Sequence, residues 1–232
     1  QTSNHETRVE AWKKKNSIWR TSSCELYIFK ADAAKNTGVA VAIYPGGSYT
    51  NLNLNISLAQ WYASQGITAA IVKYRLPNEG HIEATLEDGI GAVRYLRTRT
   101  DLGIDPKKVG VTGSSAGGHL TTWVSNAMPD EEKPAFAIPI YGWIKLYESR
   151  SGAADKALIQ LFGKGYNSQK PIDLSTHLMV SKTTPPTMLL LCDDDPLVPS
   201  TDSAEYYEAL IRHGVKASLH IFPFGGHSVR KH

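Results

Sequence analysis

Apolar and polar positions divide the chain into short apolar runs separated by segments of helical period. Residues 39–44 (VAVAIY) form an unbroken apolar run that ends at Pro45-Gly46-Gly47 and predict a buried strand stopped by a turn. Residues 68–74 (TAAIVKY) and 108–112 (KVGVT) repeat the pattern, and residues 136–141, 187–192 and 217–222 predict three more strands. Residues 56–65 predict a helix ended by Gly66, a residue suited to the left-handed position after a last helical turn. Across residues 82–98, Ile82, Leu86, Ile90, Val93 and Leu96 fall on one helical face. Residues 115–127 predict a helix that follows the strand 108–112 with almost no loop. A last helix spans 201–213, before Gly214. Residues 25–30 predict an antiparallel strand at the sheet edge.

Near-continuous apolar strands alternating with helices predict an α/β protein with a mostly parallel central sheet and helices on both faces. No internal repeat or low-complexity linker interrupts this alternation, so residues 1–232 are expected to form one domain. Residues 143–186 break the rhythm, being longer, less periodic and rich in Gly, Lys and Ser. They predict an insertion over the C-terminal edge of the sheet, where α/β folds place their sites. This insertion and the loop 76–81 are expected to shape the pocket.

Composition narrows the classes of partner. Hydrophobic residues are 41% and charged residues 20%, ordinary for a soluble globular chain, and no run approaches the roughly 18 apolar residues of a membrane helix. Net charge is only +3, and the one dense basic cluster, Lys13, Lys14 and Lys15, lacks interleaved aromatics. A solvated face, with neither nucleic acid nor membrane as partner, is the expectation. Cys24 and Cys192 each lie in an apolar stretch without CxxC or Cys/His ligand spacing, so two buried free thiols and no metal site are expected. No cofactor motif is present, and nothing in the pattern sets an oligomeric state.

The chemistry concentrates at Gly113-Ser114-Ser115-Ala116-Gly117-Gly118, a G-x-S-x-G string between a strand and an apolar helix. A sharp strand-to-helix turn exposes the central hydroxyl, and glycines two positions to either side avoid collision with neighbouring backbone. Ser115 is therefore the candidate nucleophile; Ser114 lacks the flanking glycines. The competing explanation, a glycine-rich turn with incidental serines, leaves the strand and helix around it without a role. Such a serine needs N–H donors for the oxyanion. Ala116 follows the nucleophile, and the loop Pro45-Gly46-Gly47-Ser48-Tyr49 follows an earlier strand, so Gly47, Ser48 and Ala116 are the candidate oxyanion donors.

The motif also demands an acid and then a histidine later in the chain. Among eight histidines, His227 follows the strand 217–222 and the pair Gly225-Gly226, and it is the candidate base. His119, one helical turn past Ser115, is expected to pack beneath the elbow, and His220 to pack or to face solvent. Asp193, Asp194 and Asp195 all follow the strand 187–192. Asp195 is preferred because D-x-x-V-P sets a turn before the next helix; Asp194 is the runner-up. Arg75 and Asp88 are expected to form a structural ion pair.

Together, PGGSY, YRLP, LEDGIGAVRYLR, GSSAGGHL, PPTMLLLCDDDPLVP and FGGHS resemble the bacterial acetyl xylan esterase and feruloyl-esterase-like carbohydrate esterases. These are α/β hydrolases related to the hormone-sensitive-lipase branch. The resemblance covers roughly residues 39–142 and 184–228. It implies the α/β-hydrolase fold, a Ser115–Asp195–His227 triad, and activity on acetyl or small acyl esters, such as those of plant polysaccharides. It also implies secretion or a periplasmic location. Two departures bear on acyl preference: Ser48 stands where the group usually has a third glycine, and Pro45 where the lipase branch has a histidine. A prolyl-oligopeptidase-like serine peptidase shares the elbow and residue order, but such enzymes carry a large gating domain for which 232 residues leave no space. A fold-only binding protein is the other alternative, and the complete Ser, Asp and His set speaks against it.

Overall fold

In the computed structural model, residues 17–19, 21–146, 152–167 and 169–229 are described. The lysine cluster 13–15 lies outside them. The central sheet has seven strands: β2 (Glu25–Phe29), β3 (Ala40–Tyr44), β5 (Thr68–Lys73), β6 (Val109–Ser114), β7 (Ala137–Ile140), β8 (Thr187–Cys192) and β9 (Ala217–Phe222). Their spatial order is β2-β5-β3-β6-β7-β8-β9. Only β2 runs antiparallel, against β5 at the edge; every other pair is parallel. The seven strands therefore follow the sequence expectation. A separate antiparallel pair, β1 (Ser17–Trp19) with β4 (Asn51–Asn53), was not anticipated from the apolar pattern.

Strand periodicity assigns side chains to the two faces. Ala40, Ala42 and Tyr44 of β3 join a core with Val93 and Leu96 of α2 (Ile82–Thr98) and Leu120 and Val124 of α3 (Ala116–Ala127). Val41 and Ile43 point the other way, onto Ala59 and Tyr62 of α1 (Ile56–Ser64). Helices thus cover both faces, as the continuous apolar strands require. A further core lies under α6 (Ser200–Arg212), where Tyr206 and Leu210 meet Leu189 of β8. Toward the end of the last strand, Ile221, Phe222 and Phe224 are exposed.

Strand order fixes where a site can form. From β3 the chain crosses to β5 on one side, then passes back to β6 on the other. The loops leaving β3 and β6 consequently diverge and leave a crevice at the C-terminal edge of the sheet. The loop after β3 begins at Pro45, and Ser115 directly follows β6.

One expectation needs correction. Cys192 is buried but Cys24 is exposed, because Cys24 sits just before β2 begins and not within it. The insertion 143–186, which contains α4 (Gly152–Phe162) and α5 (Gln169–Asp173), packs against α3. The Thr176 and Thr122 hydroxyls are 2.8 Å apart, and the Ser175 hydroxyl accepts the Leu146 N–H at 3.0 Å. Loop 76–81 meets the same insertion, with the Gly80 N–H donating to the Gln160 carbonyl at 3.2 Å. Arg75 does pair with Asp88: its Nη2 lies 2.8 Å and its backbone N 2.7 Å from the carboxylate, tying the end of β5 to α2.

Candidate active site

The turn from β6 into α3 places Ser115 at φ 56°, ψ −121°, a conformation that costs a non-glycine residue about 1–3 kcal/mol. Surrounding bonds hold it there. The Ser115 N–H donates to the Ile140 carbonyl at 3.0 Å, and its carbonyl accepts the N–H groups of His119 at 3.0 Å and Trp143 at 3.2 Å. The flanking glycines make this packing feasible. A Cβ on Gly117 would fall 1.9 Å from the Tyr44 carbonyl oxygen, and one on Gly113 2.3 Å from that of Gly117. Side chains at either position would drive the elbow away from β3.

The structure brings Ser115, His227 and Asp195 into one chain of hydrogen bonds. His227 Nε2 lies 2.8 Å from Ser115 Oγ, and its Nδ1 lies 2.8 Å from Asp195 Oδ2. An ionised carboxylate can only accept, so Nδ1 carries the proton and Nε2 is left as an acceptor for the serine hydroxyl. Burial pushes the Asp195 carboxyl up, but bonds from His227 and from the Val198 and Leu197 N–H groups prevail and hold it below its ordinary value. Those N–H donors reach Asp195 Oδ1 at 3.0 and 2.8 Å.

The three consecutive aspartates have separate contacts. Asp194 accepts the Gly226 N–H at 2.7 Å and the Gly225 N–H at 3.3 Å, bracing the loop that carries His227. Asp193 accepts from the Ser200 hydroxyl at 2.7 Å, at the start of α6. Cys192 Sγ lies 3.0 Å from the Ser228 carbonyl and grips the same histidine loop from below.

Across the crevice, the loop after β3 holds three successive residues at positive φ: Gly47 at 134°, Ser48 at 52° and Tyr49 at 56°. The Thr50 N–H closes a turn onto the Gly47 carbonyl at 3.0 Å, and the Asn53 N–H reaches the Gly46 carbonyl at 2.8 Å. Among the described residues, the N–H groups of Gly47 and Ser48 have no protein acceptor. The Ala116 N–H, at the first position of α3, has no partner within the helix. Gly47 and Ser48 line the same crevice as Ser115, and Ala116 directly follows the serine.

A cleft of about 490 Å³ opens there, lined by Gly46, Gly47, Ser48, Asn53, Leu54, Asn55, Ser114, Ser115, Tyr141, Leu197 and His227. Among the described residues, neither 143–186 nor 76–81 lines it, contrary to expectation: the loop bonds to the insertion through Gly80 and Gln160, and the insertion to α3 through Thr176 and Thr122. Asn53, Asn55, Tyr141 and Leu197 were not singled out from the sequence. Tyr141 ends a strand that the sequence does indicate, and its ring lies 4.8 Å from that of His227. Asn53 ends β4 and Asn55 immediately precedes α1, and no motif marks either.

The arrangement can deprotonate a hydroxyl beside N–H donors suited to an oxyanion. Among the described residues, no group of three His, Cys, Asp or Glu side chains could hold a metal ion, and no helix is long and apolar enough to cross a membrane.

Residues 46–230 match a family described by the alpha/beta hydrolase fold. The chain is 36% identical over 199 residues to the acetylxylan esterase of Xylanibacter ruminicola, covering 82% of this chain and 41% of that protein. It is 25% identical over 227 residues to the ethyl acetate hydrolase of Pseudomonas putida, covering 88% and 70%. A solved acetyl ester-xyloside bifunctional hydrolase from Caldicellulosiruptor lactoaceticus superposes with a TM-score of 0.78 at 30% identity, covering 92% of this chain and 87% of that one. The chain thus spans about two fifths of the length of the Xylanibacter esterase.

Proposed function

The chain belongs to the α/β-hydrolase-fold family, and within it we propose a serine carboxylic-ester hydrolase for acetyl or other small acyl esters. Ser115 Oγ attacks the ester carbonyl as its proton passes to His227 Nε2. Asp195 holds the imidazole by Nδ1–H and stabilises the imidazolium. Negative charge on the tetrahedral oxygen is met by the N–H groups of Ala116, Gly47 and Ser48, each such donor typically contributing about 3 kcal/mol to lowering the barrier. Collapse breaks the ester C–O bond, and His227 returns its proton to the departing alcohol. Water, deprotonated by His227, then attacks the acyl-serine; the carboxylic acid leaves and Ser115 recovers its proton.

The observation that carries this reading is the His227 ring, within 2.8 Å of both the Ser115 hydroxyl and the Asp195 carboxylate. Substrate class is argued from the cleft and from the relatives. Ser48, Asn53 and Asn55 give one side of the cleft polar groups suited to a hydroxyl-bearing alcohol. Similarity to an acetylxylan esterase and to an acetyl ester-xyloside hydrolase supports acetyl groups on plant polysaccharides as the physiological esters.

A panel of acetyl, feruloyl and longer acyl esters on sugar and aryl alcohols tests the proposal. Acetylated xylo-oligosaccharides and aryl acetates should turn over, with rates falling as the acyl chain lengthens. Turnover of aminoacyl-arylamides without turnover of acetates would replace this reading with a peptidase.

A further inference from the structure

His119 stands four residues after Ser115 on α3, and its side chain is completely buried. The imidazole does not reach the His227 system; both of its nitrogens are committed elsewhere. Nε2 lies 3.0 Å from the Leu174 carbonyl oxygen, and Nδ1 lies 2.6 Å from the Tyr49 hydroxyl. A carbonyl can only accept, so Nε2 carries the proton. Neutral imidazole then offers Nδ1 as an acceptor, and the tyrosine hydroxyl donates to it. Burial pushes this imidazole down to about 4, partly offset by the Leu174 bond, so one tautomer serves throughout the neutral range.

The partners give this tautomer a consequence. Tyr49 is fully buried and directly follows Gly47 and Ser48, the proposed oxyanion donors. Ser48 and Tyr49 both adopt left-handed backbone without being glycine. Such residues persist only where their surroundings over-determine them. Two buried hydroxyls anchor this loop: Tyr49 on His119, and Tyr74, whose hydroxyl donates to the Pro45 carbonyl at 2.7 Å. The Tyr74 bond fixes where the loop begins. The Tyr49 bond fixes it just beyond the N–H groups that must face the substrate. Leu174 belongs to the segment 143–186, so one ring ties together the nucleophile helix, the loop after β3 and the insertion.

We infer that His119 is a positioning residue for the oxyanion loop, setting the Gly47 and Ser48 N–H groups through the Tyr49 hydroxyl. The inference rests on the esterase reading above. The insertion also touches this machinery directly, since its first residue, Trp143, donates its N–H to the Ser115 carbonyl, while Leu174 holds His119.

The test compares Tyr49→Phe, which keeps the ring and removes the hydroxyl, with His119→Leu and His119→Gln. The glutamine retains one donor and one acceptor. Each variant is assayed with an aryl acetate and with an aryl trifluoromethyl ketone, whose hydrated or serine-bound form mimics the tetrahedral adduct. Thermal unfolding and stoichiometric fluorophosphonate labelling of Ser115 normalise for folded enzyme.

Tyr49→Phe and His119→Leu should lower kcat at least tenfold per labelled site, with KM changed less than about twofold. Affinity for the ketone should weaken in parallel with kcat/KM, and His119→Gln should recover part of both. A lower melting temperature with kcat and ketone affinity unchanged per labelled site would overturn the inference and leave His119 a packing residue. If His119→Leu does not fold, Tyr49→Phe alone decides by the same criteria. Absence of ester hydrolysis in the wild-type protein would instead remove the esterase reading itself.

Discussion

His227 Nδ1 lies 2.8 Å from Asp195 Oδ2, while the adjacent Asp194 spends both carboxylate oxygens on the Gly225 and Gly226 N–H groups. One carboxylate therefore orients the imidazole and its neighbour holds the loop that carries it. Asp195→Asn should lower kcat by about 10³–10⁴-fold, since an amide in that place no longer selects the tautomer with a free Nε2. Asp194→Asn weakens loop contacts worth about 1 kcal/mol and should cost about fivefold. Asp193→Asn, at the start of α6, should stay within about twofold. Steady-state kinetics on an aryl acetate ranks the three, and equal losses at Asp194 and Asp195 would contradict the assignment.

β3 and β5 were legible because burial on both faces leaves unbroken apolar runs; β8 and the more exposed β9 also fall at the residues the pattern marks. Ser115 was legible because its strained turn demands glycines at fixed offsets. Choice among the aspartates was harder. All three share one loop, and only tertiary contact with a residue some thirty positions later separates them. The β1–β4 pair escaped notice because three-residue strands carry too little periodicity. Ser48 and Tyr49 give no sign of left-handed backbone, since neither is a glycine. His119 was expected beneath the elbow, but its partners, Tyr49 and Leu174, lie 70 and 55 residues away along the chain.

Glycine contacts predict opposite effects for one methyl group. At Gly117 an added Cβ meets the Tyr44 carbonyl, whose backbone is locked in the central strand β3. Gly117→Ala should cost about 3 kcal/mol or more, or prevent folding. Gly91, on the exposed side of α2, has nothing within 4 Å of such a Cβ. Gly91→Ala should therefore stabilise the protein by about 0.5–1 kcal/mol through helix propensity alone. Urea titrations of both variants measure the contrast.

His119 also predicts a dependence of stability on pH. In the unfolded chain a histidine gains its proton near pH 6.5, whereas folded His119 stays neutral down to about 4. Between these values the unfolded state binds one more proton, so stability falls as pH falls through this window. The ring faces Tyr49, Trp123 and the Leu174 carbonyl, and Tyr49 is itself held neutral by burial. The loss attributable to His119 should approach about 3 kcal/mol at the lower end. Asp195, held below the ordinary carboxylate value, adds its own loss only at still lower pH. Denaturation of wild-type protein and His119→Gln at several pH values from 4 to 7 should show a flatter slope in the variant.

The central claim is that Ser115 carries the acyl group, and covalent labelling tests it most directly. Folded wild-type protein is treated with a fluorophosphonate, digested and mapped by mass spectrometry, while hydrolysis of an aryl acetate is followed on the same sample. The account predicts one label per chain, on Ser115, with activity lost in proportion to labelling, and neither label nor turnover in a folded Ser115→Ala protein. Labelling at Ser114 or elsewhere, or ester hydrolysis that survives Ser115→Ala, would contradict it.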